Sequence, residues 1–98
     1  MDKTKLNKEQ LRMLNQSDIC GINLEKYVDE TFDEGQMEQV YLGLRDNLPV
    51  HLYAKSEYSW EQMREIRLGL EDDIDIYKYL DSSLSAEYMK KVRLTLSM

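Results

Sequence analysis

Residues 32–45 read FDEGQMEQVYLGLR and residues 58–71 read YSWEQMREIRLGLE, nearly the same phrase at a distance of 26 positions. Carried along the chain at that fixed step, four copies align without a gap, starting at Leu6, Phe32, Tyr58 and Leu84. The second position of each copy is Asn7, Asp33, Ser59 or Ser85, and each of these side chains can accept from the free N–H groups of a helix start. Three positions on stand Gln10, Gln36, Gln62 and then Tyr88, so the first three copies carry a capping box. An apolar residue precedes every cap, and Leu11, Met37, Met63 or Met89 follows four positions after it, which is the hydrophobic staple. Cap, box and staple recurring together at one period predict helices beginning at Asn7, Asp33, Ser59 and Ser85.

Beyond each cap the apolar residues keep helical spacing: Met37, Val40, Leu44; Met63, Ile66, Leu70; Met89, Val92, Leu96. A second column, Leu42, Leu68 and Leu94, falls on another face, which predicts helices sandwiched between neighbours. Gly43 and Gly69 stand between leucines near the helix end. A glycine there either admits a close backbone approach or begins the unwinding of the last turn. Each helix then runs into a short segment, CGINLEKYVD, DNLPVHLYAK or DDIDIYKYLD, with matching apolar columns. Asn23 and Asp75 can cap a second helix of about two turns there, and Pro49 suits its start but not its interior. A lone unit of this size cannot bury its apolar face, whereas a stack of units can. The expected fold is all-α, a single-domain α-solenoid of helix-turn-helix repeats with period 26. Its three full units are 6–31, 32–57 and 58–83, followed by a C-terminal capping helix over 84–98. The first copy has Gln16, Ser17 and Asp18 in place of Leu-Gly-Leu, as befits a capping unit.

The phrase YSWEQMREIRLGLE, above all its Gln-Met-x-x-Ile/Val-x-Leu-Gly-Leu core, resembles a short helical repeat of uncharacterised proteins of Firmicutes and their mobile elements and phages. The resemblance covers residues 32–96, and the first copy departs from it. It implies helical hairpins and a bacterial mobile-element setting, and it carries no catalytic residues over.

Charge narrows the function further. The net charge of −6 is unevenly spread: residues 29–89 hold fifteen acidic and five basic side chains, whereas residues 90–98 hold three basic and none acidic. Direct binding of nucleic acid needs a cationic footprint, and the middle of the chain offers the opposite. A partner with a basic surface is the better electrostatic match, although acidity also serves solubility alone. No apolar run approaches a membrane span and the single Cys20 cannot form an internal disulfide, so a cytoplasmic setting is expected.

Catalysis finds little support. Nucleophilic chemistry needs an activated nucleophile beside a base, and the only Cys and the only His, Cys20 and His51, occupy different columns and units. Transition-metal binding needs more such ligands. The run Glu71-Asp72-Asp73-Ile74-Asp75 lacks the glycine and glutamate of a calcium loop, and no phosphate loop or nucleotide fingerprint occurs. No cofactor and no enzymatic activity are expected.

The four copies serve as an internal alignment, in which residues that break their own column are the functional candidates. Trp60 stands with Lys8, Glu34 and Ala86, Tyr41 with Asn15, Arg67 and Arg93, and Tyr77 with Glu25 and His51. Their columns are polar, hence expected to face solvent, where Trp and Tyr anchor protein interfaces. For Trp60 a second reading stays open, that it covers the seam between neighbouring helices; for Tyr77 the seam cover is the simpler reading. With the acids Asp33, Glu34, Glu71, Asp72, Asp73 and Asp75 they form the candidate partner-binding set. The expected function is a non-enzymatic protein-binding module. Its sharpest form is a mobile-element inhibitor that fills the cationic channel of a host nucleic-acid enzyme, such as a CRISPR effector or restriction enzyme. The alternative is a passive scaffold that self-associates.

Overall fold

The computed structural model describes all residues 1–98. The chain folds into four α-helices of nearly equal length with no strand: α1 (Lys8–Ile19), α2 (Glu34–Arg45), α3 (Trp60–Glu71) and α4 (Ala86–Leu96). Asn7, Asp33, Ser59 and Ser85 are the four N-caps, as the sequence predicts. Each cap side chain accepts the N–H three residues on. At the first three, the glutamine side chain accepts the cap's own N–H in return, at 2.7–2.8 Å. At the fourth, Ser85 Oγ accepts from the Tyr88 N–H alone.

The first three helices also stop in the same way. Gly21, Asn47 and Asp73 adopt left-handed backbone (φ +73°, +58° and +55°). The next N–H, from Ile22, Leu48 or Ile74, reaches back to the carbonyl of Ser17, Gly43 or Gly69 at 2.8–2.9 Å. This Schellman closure satisfies carbonyls that the last turn leaves free. The unwinding therefore occurs four residues beyond Gly43 and Gly69. Those glycines serve a close approach instead. A Cβ at Gly43 would collide with Tyr53 Oη, and one at Gly69 with Tyr79 Oη. Through the gap, the Tyr53 hydroxyl donates to the Gln39 carbonyl (2.6 Å) and the Tyr79 hydroxyl to the Glu65 carbonyl (2.8 Å). In α1 the equivalent place holds Ser17, fully buried with its hydroxyl donating to the Leu14 carbonyl, and Tyr27 is only partly buried.

The short segments differ from expectation. Each forms a single 3-10 turn, Leu24–Lys26, Val50–Leu52 or Ile76–Lys78, rather than a second helix of two turns. Asp75 does cap its turn, by accepting from the Tyr77 N–H, but Asn23 makes no cap bond. In the second and third segments the turn delivers Tyr53 and Tyr79 back against the preceding helix; the first forms the same turn without that insertion. A further 3-10 turn, Lys3–Lys5, precedes α1.

Neighbouring helices run parallel, because the first turn of one is tied to the first turn of the next. Gln10 Nε2 donates to the Phe32 carbonyl (2.6 Å), Gln36 Nε2 to the Tyr58 carbonyl (2.6 Å) and Gln62 Nε2 to the Leu84 carbonyl (2.7 Å). Each acceptor immediately precedes the cap of the following helix. The core runs through the whole row: Met37, Val40, Met63, Ile66 and Met89 are fully buried, backed by Leu6, Phe32, Tyr58, Val50 and Ile76. The Leu42 column is less enclosed than predicted. Leu42 and Leu68 are half-buried and Leu94 is exposed. The molecule measures 43 × 25 × 17 Å, longest across the row of helices.

Candidate partner-binding surface

Parallel helices place the acids singled out from the sequence on two opposite edges. Asp33, Glu34, Glu61 and Glu87 lie at helix starts. The starts of α3 and α4 share a shallow depression that includes Ser59, Glu61, Ser85 and Glu87. Glu71, Asp72, Asp73 and Asp75 lie at the other edge, where α3 ends. A helix of 12 residues separates the two sets, about 18 Å at the usual rise. The acids singled out from the sequence therefore do not form one face. They form two edges, with mixed charge between them: Arg12 lies 3.9 Å from Glu34, and Arg67 bonds Glu71 at 3.0 Å.

Within the second edge, pairing is uneven. Glu71 is held by Arg67, and Asp46 by Arg45 at 3.1 Å, whose guanidinium keeps the Asp46 carboxyl below its usual range. Asp72 and Asp73 are exposed and make no ion pair. Asp75 spends one carboxylate oxygen on the Tyr77 N–H at 3.2 Å.

The three aromatic candidates separate clearly. Tyr41 does not face solvent: only 7 % of it is exposed, and its hydroxyl donates to Cys20 Sγ at 3.3 Å. That bond and the burial raise the Tyr41 phenol above its ordinary range. The sequence expectation fails here because its column is polar for another reason. Arg67 Nε donates to Gln39 Oε1 (2.8 Å) and Arg93 Nε to Glu65 Oε1 (3.0 Å), each reaching the preceding helix with a guanidinium that is largely buried. The matching position on α1 is Met13, and an apolar Tyr41 lines a depression with it. Polar meets polar twice and apolar meets apolar once. Tyr77 is the reverse correction: it covers no seam and is 70 % exposed. Trp60 does both things. Its ring lies against Gly35 of α2, where an added Cβ would come within 2.9 Å, yet 38 % of the residue stays exposed.

Two features escaped the sequence reading. Glu65 is buried with only Arg93 and, at 3.4 Å, Arg64 to balance it. The box glutamines also bridge helices, a role for which the signal was present: all three are Gln, and Glu would serve a capping box equally well. An amide is required because the same side chain must accept from one backbone and donate to another.

Cys20 and His51 are both exposed, and no hydrogen bond joins them. No group of three or more His, Cys, Asp or Glu side chains converges as metal ligands would. No helix is long and apolar enough to cross a membrane. No protein-family model, curated protein or solved structure matches this chain.

Proposed function

We propose that the chain is a short α-solenoid of period 26 that acts as a non-enzymatic protein-binding module, presenting acidic edges to a partner with a basic surface. The solenoid reading is supported by the glutamine bridges, which recur at the same step as the sequence. The partner class is a protein built to hold phosphates. The cationic channel of a host nucleic-acid enzyme, such as a CRISPR effector or restriction enzyme, is the surface that carboxylates on a small rigid protein would fill. The mobile-element resemblance points the same way.

The observation that carries this reading is the pair Asp72–Asp73. Both acids cap the C-terminal end of α3, where the helix dipole disfavours negative charge. Asp73 occupies the left-handed position that Gly21 and Asn47 hold in the other copies, residues better suited to it. Neither acid has a cation to offset that cost. Residues that break the local rules without a structural return mark sites kept for function.

The test is Asp72→Asn/Asp73→Asn. We expect a more heat-stable protein that loses its partner, whereas the wild type retains from a bacterial lysate nucleic-acid-binding proteins that elute as salt rises. An unchanged set of retained proteins sinks the reading. One observation favours the scaffold alternative: Tyr88, Leu94 and Leu96 expose apolar surface on α4. A mass that grows with protein concentration, unaffected by salt, would support it.

A further inference from the structure

Each helix meets the next through a recurring pair, the fifth residue of one and the first of its successor. Between α1 and α2 the pair is Arg12 and Glu34, 3.9 Å apart. Between α2 and α3 it is Glu38 and Trp60, which line a shallow depression together with Glu34, Gly35 and Gln39. Glu38 is exposed and forms no ion pair, because an indole stands where a cation would answer it.

The indole itself is suited to positive charge. Arg64 already lies over the ring, 5.1 Å from its centroid. Arg64 lines the separate depression between α3 and α4 and does not line the one that Trp60 shares with Glu38. Gly35 sets the height of the ring: a Cβ there would stand 2.9 Å from two ring carbons and 3.0 Å from Trp60 Cβ, forcing the indole off the helix. Gln39, which closes the floor, has its amide oxygen committed to Arg67 and is largely buried.

We propose that this depression is a docking site for one lysine or arginine side chain of a partner protein. The aliphatic stem lies along the exposed indole and the charged head sits between Glu38 and Glu34. The chemistry is complementary on both counts, since long basic side chains bury their methylenes on apolar surface while keeping the head solvated or paired. This inference rests on the basic-partner reading above and adds the place and the anchor.

Trp60 is the only tryptophan, so its emission reports this site directly. Octalysine, titrated into the full chain at low salt, should give a saturable change in Trp60 emission, with affinity read in parallel by calorimetry. Glu38→Lys should weaken binding by about tenfold or more, and Glu38→Gln by less. Both are exposed substitutions whose folding circular dichroism can verify. Gly35→Ala should reduce the emission change even where the peptide still binds. Asp72→Asn/Asp73→Asn should leave the Trp60 response intact. If octalysine binds both Glu38 variants as tightly as wild type, or is lost only with the Asp72/Asp73 pair, this site is wrong and the acidic-edge reading stands. If the peptide binds nowhere, both fall.

Discussion

Replacing Gln36 by glutamate changes one NH2 group to an oxygen and keeps nearly the same shape, so it isolates the bridging role of that side chain. The acceptor half survives: the oxygen that takes the Asp33 N–H at 2.8 Å is present in both residues. The donor half is lost. Gln36 Nε2 gives hydrogen bonds to the Tyr58 carbonyl at 2.6 Å and the Ser56 carbonyl at 3.2 Å, and Gln36 is only 5 % exposed. An ionised carboxyl there points an oxygen at two carbonyl oxygens and leaves a buried acceptor unpaired, which costs about 1–3 kcal/mol for the carbonyl alone. With the burial of charge added, Gln36→Glu should cost about 2–4 kcal/mol at neutral pH. Urea unfolding followed by helical circular dichroism measures it. The introduced carboxyl has a second signature. Its neutral form can donate to the Tyr58 carbonyl, so its folded pKa lies above the unfolded value of about 4.3. A group whose folded pKa is raised is least harmful below its unfolded pKa, and the loss grows as pH climbs through the folded one. The gap to wild type should therefore narrow near pH 4 and widen towards pH 7. A gap below about 0.5 kcal/mol, or one that ignores pH, would show that the bridge between α2 and α3 contributes nothing beyond the cap.

Two further predictions follow from buried polar groups. Arg93→Ala leaves the Glu65 carboxylate, buried at the α3–α4 seam, with Arg64 at 3.4 Å as its one remaining cation, and should cost about 2–4 kcal/mol in the same unfolding assay, below the full penalty of an unpaired buried charge. Glu65→Gln should cost far less, because it copies the Arg67–Gln39 pair one step back, and equal losses in the two variants would refute the internal comparison. In alkali, burial pushes the Tyr79 phenol up to about 12 and carries Tyr53 higher still. Both folded values exceed the unfolded value of about 10, so their stabilising contribution is complete below pH 10 and is lost as pH rises through about 12. Helicity should hold to pH 10 and then fall together with late phenolate absorbance; all tyrosines ionising near pH 10 in a chain that stays helical would contradict the buried geometry.

What could be read from the sequence was whatever is local in the chain. Cap, box and staple lie within six consecutive residues, and the hydrogen bonds of cap and box form as the spacing requires. The expected second helix is a single turn in every unit; in two of them that turn accompanies a tertiary event, the entry of Tyr53 and Tyr79 over Gly43 and Gly69, which no window within the segment reveals. Tyr41 lies inside, against expectation, for a related reason. A polar column in a repeat has two physical origins: it faces water, or it faces the polar column of its neighbour. Arg67 and Arg93 are of the second kind, so Tyr41, which shares their column, went inside with them.

The two origins can be told apart without a structure when the partner column is examined at the same time. Opposite Tyr41, Arg67 and Arg93 stand Met13, Gln39 and Glu65, and the pairs change character together, apolar with apolar and cation with acceptor. A solvent-facing column has no reason to track another. The Arg12–Glu34, Glu38–Trp60 and Arg64–Ala86 pairs show the opposite behaviour: the first is a matched ion pair, and the other two leave a charge for which the opposite residue has no counterpart. Arg64 finds its relief elsewhere, on Glu65 and on the Trp60 ring. Glu38 finds none, so an outside cation beside Trp60 would answer the one charge in these three helix-to-helix pairs that no neighbour relieves.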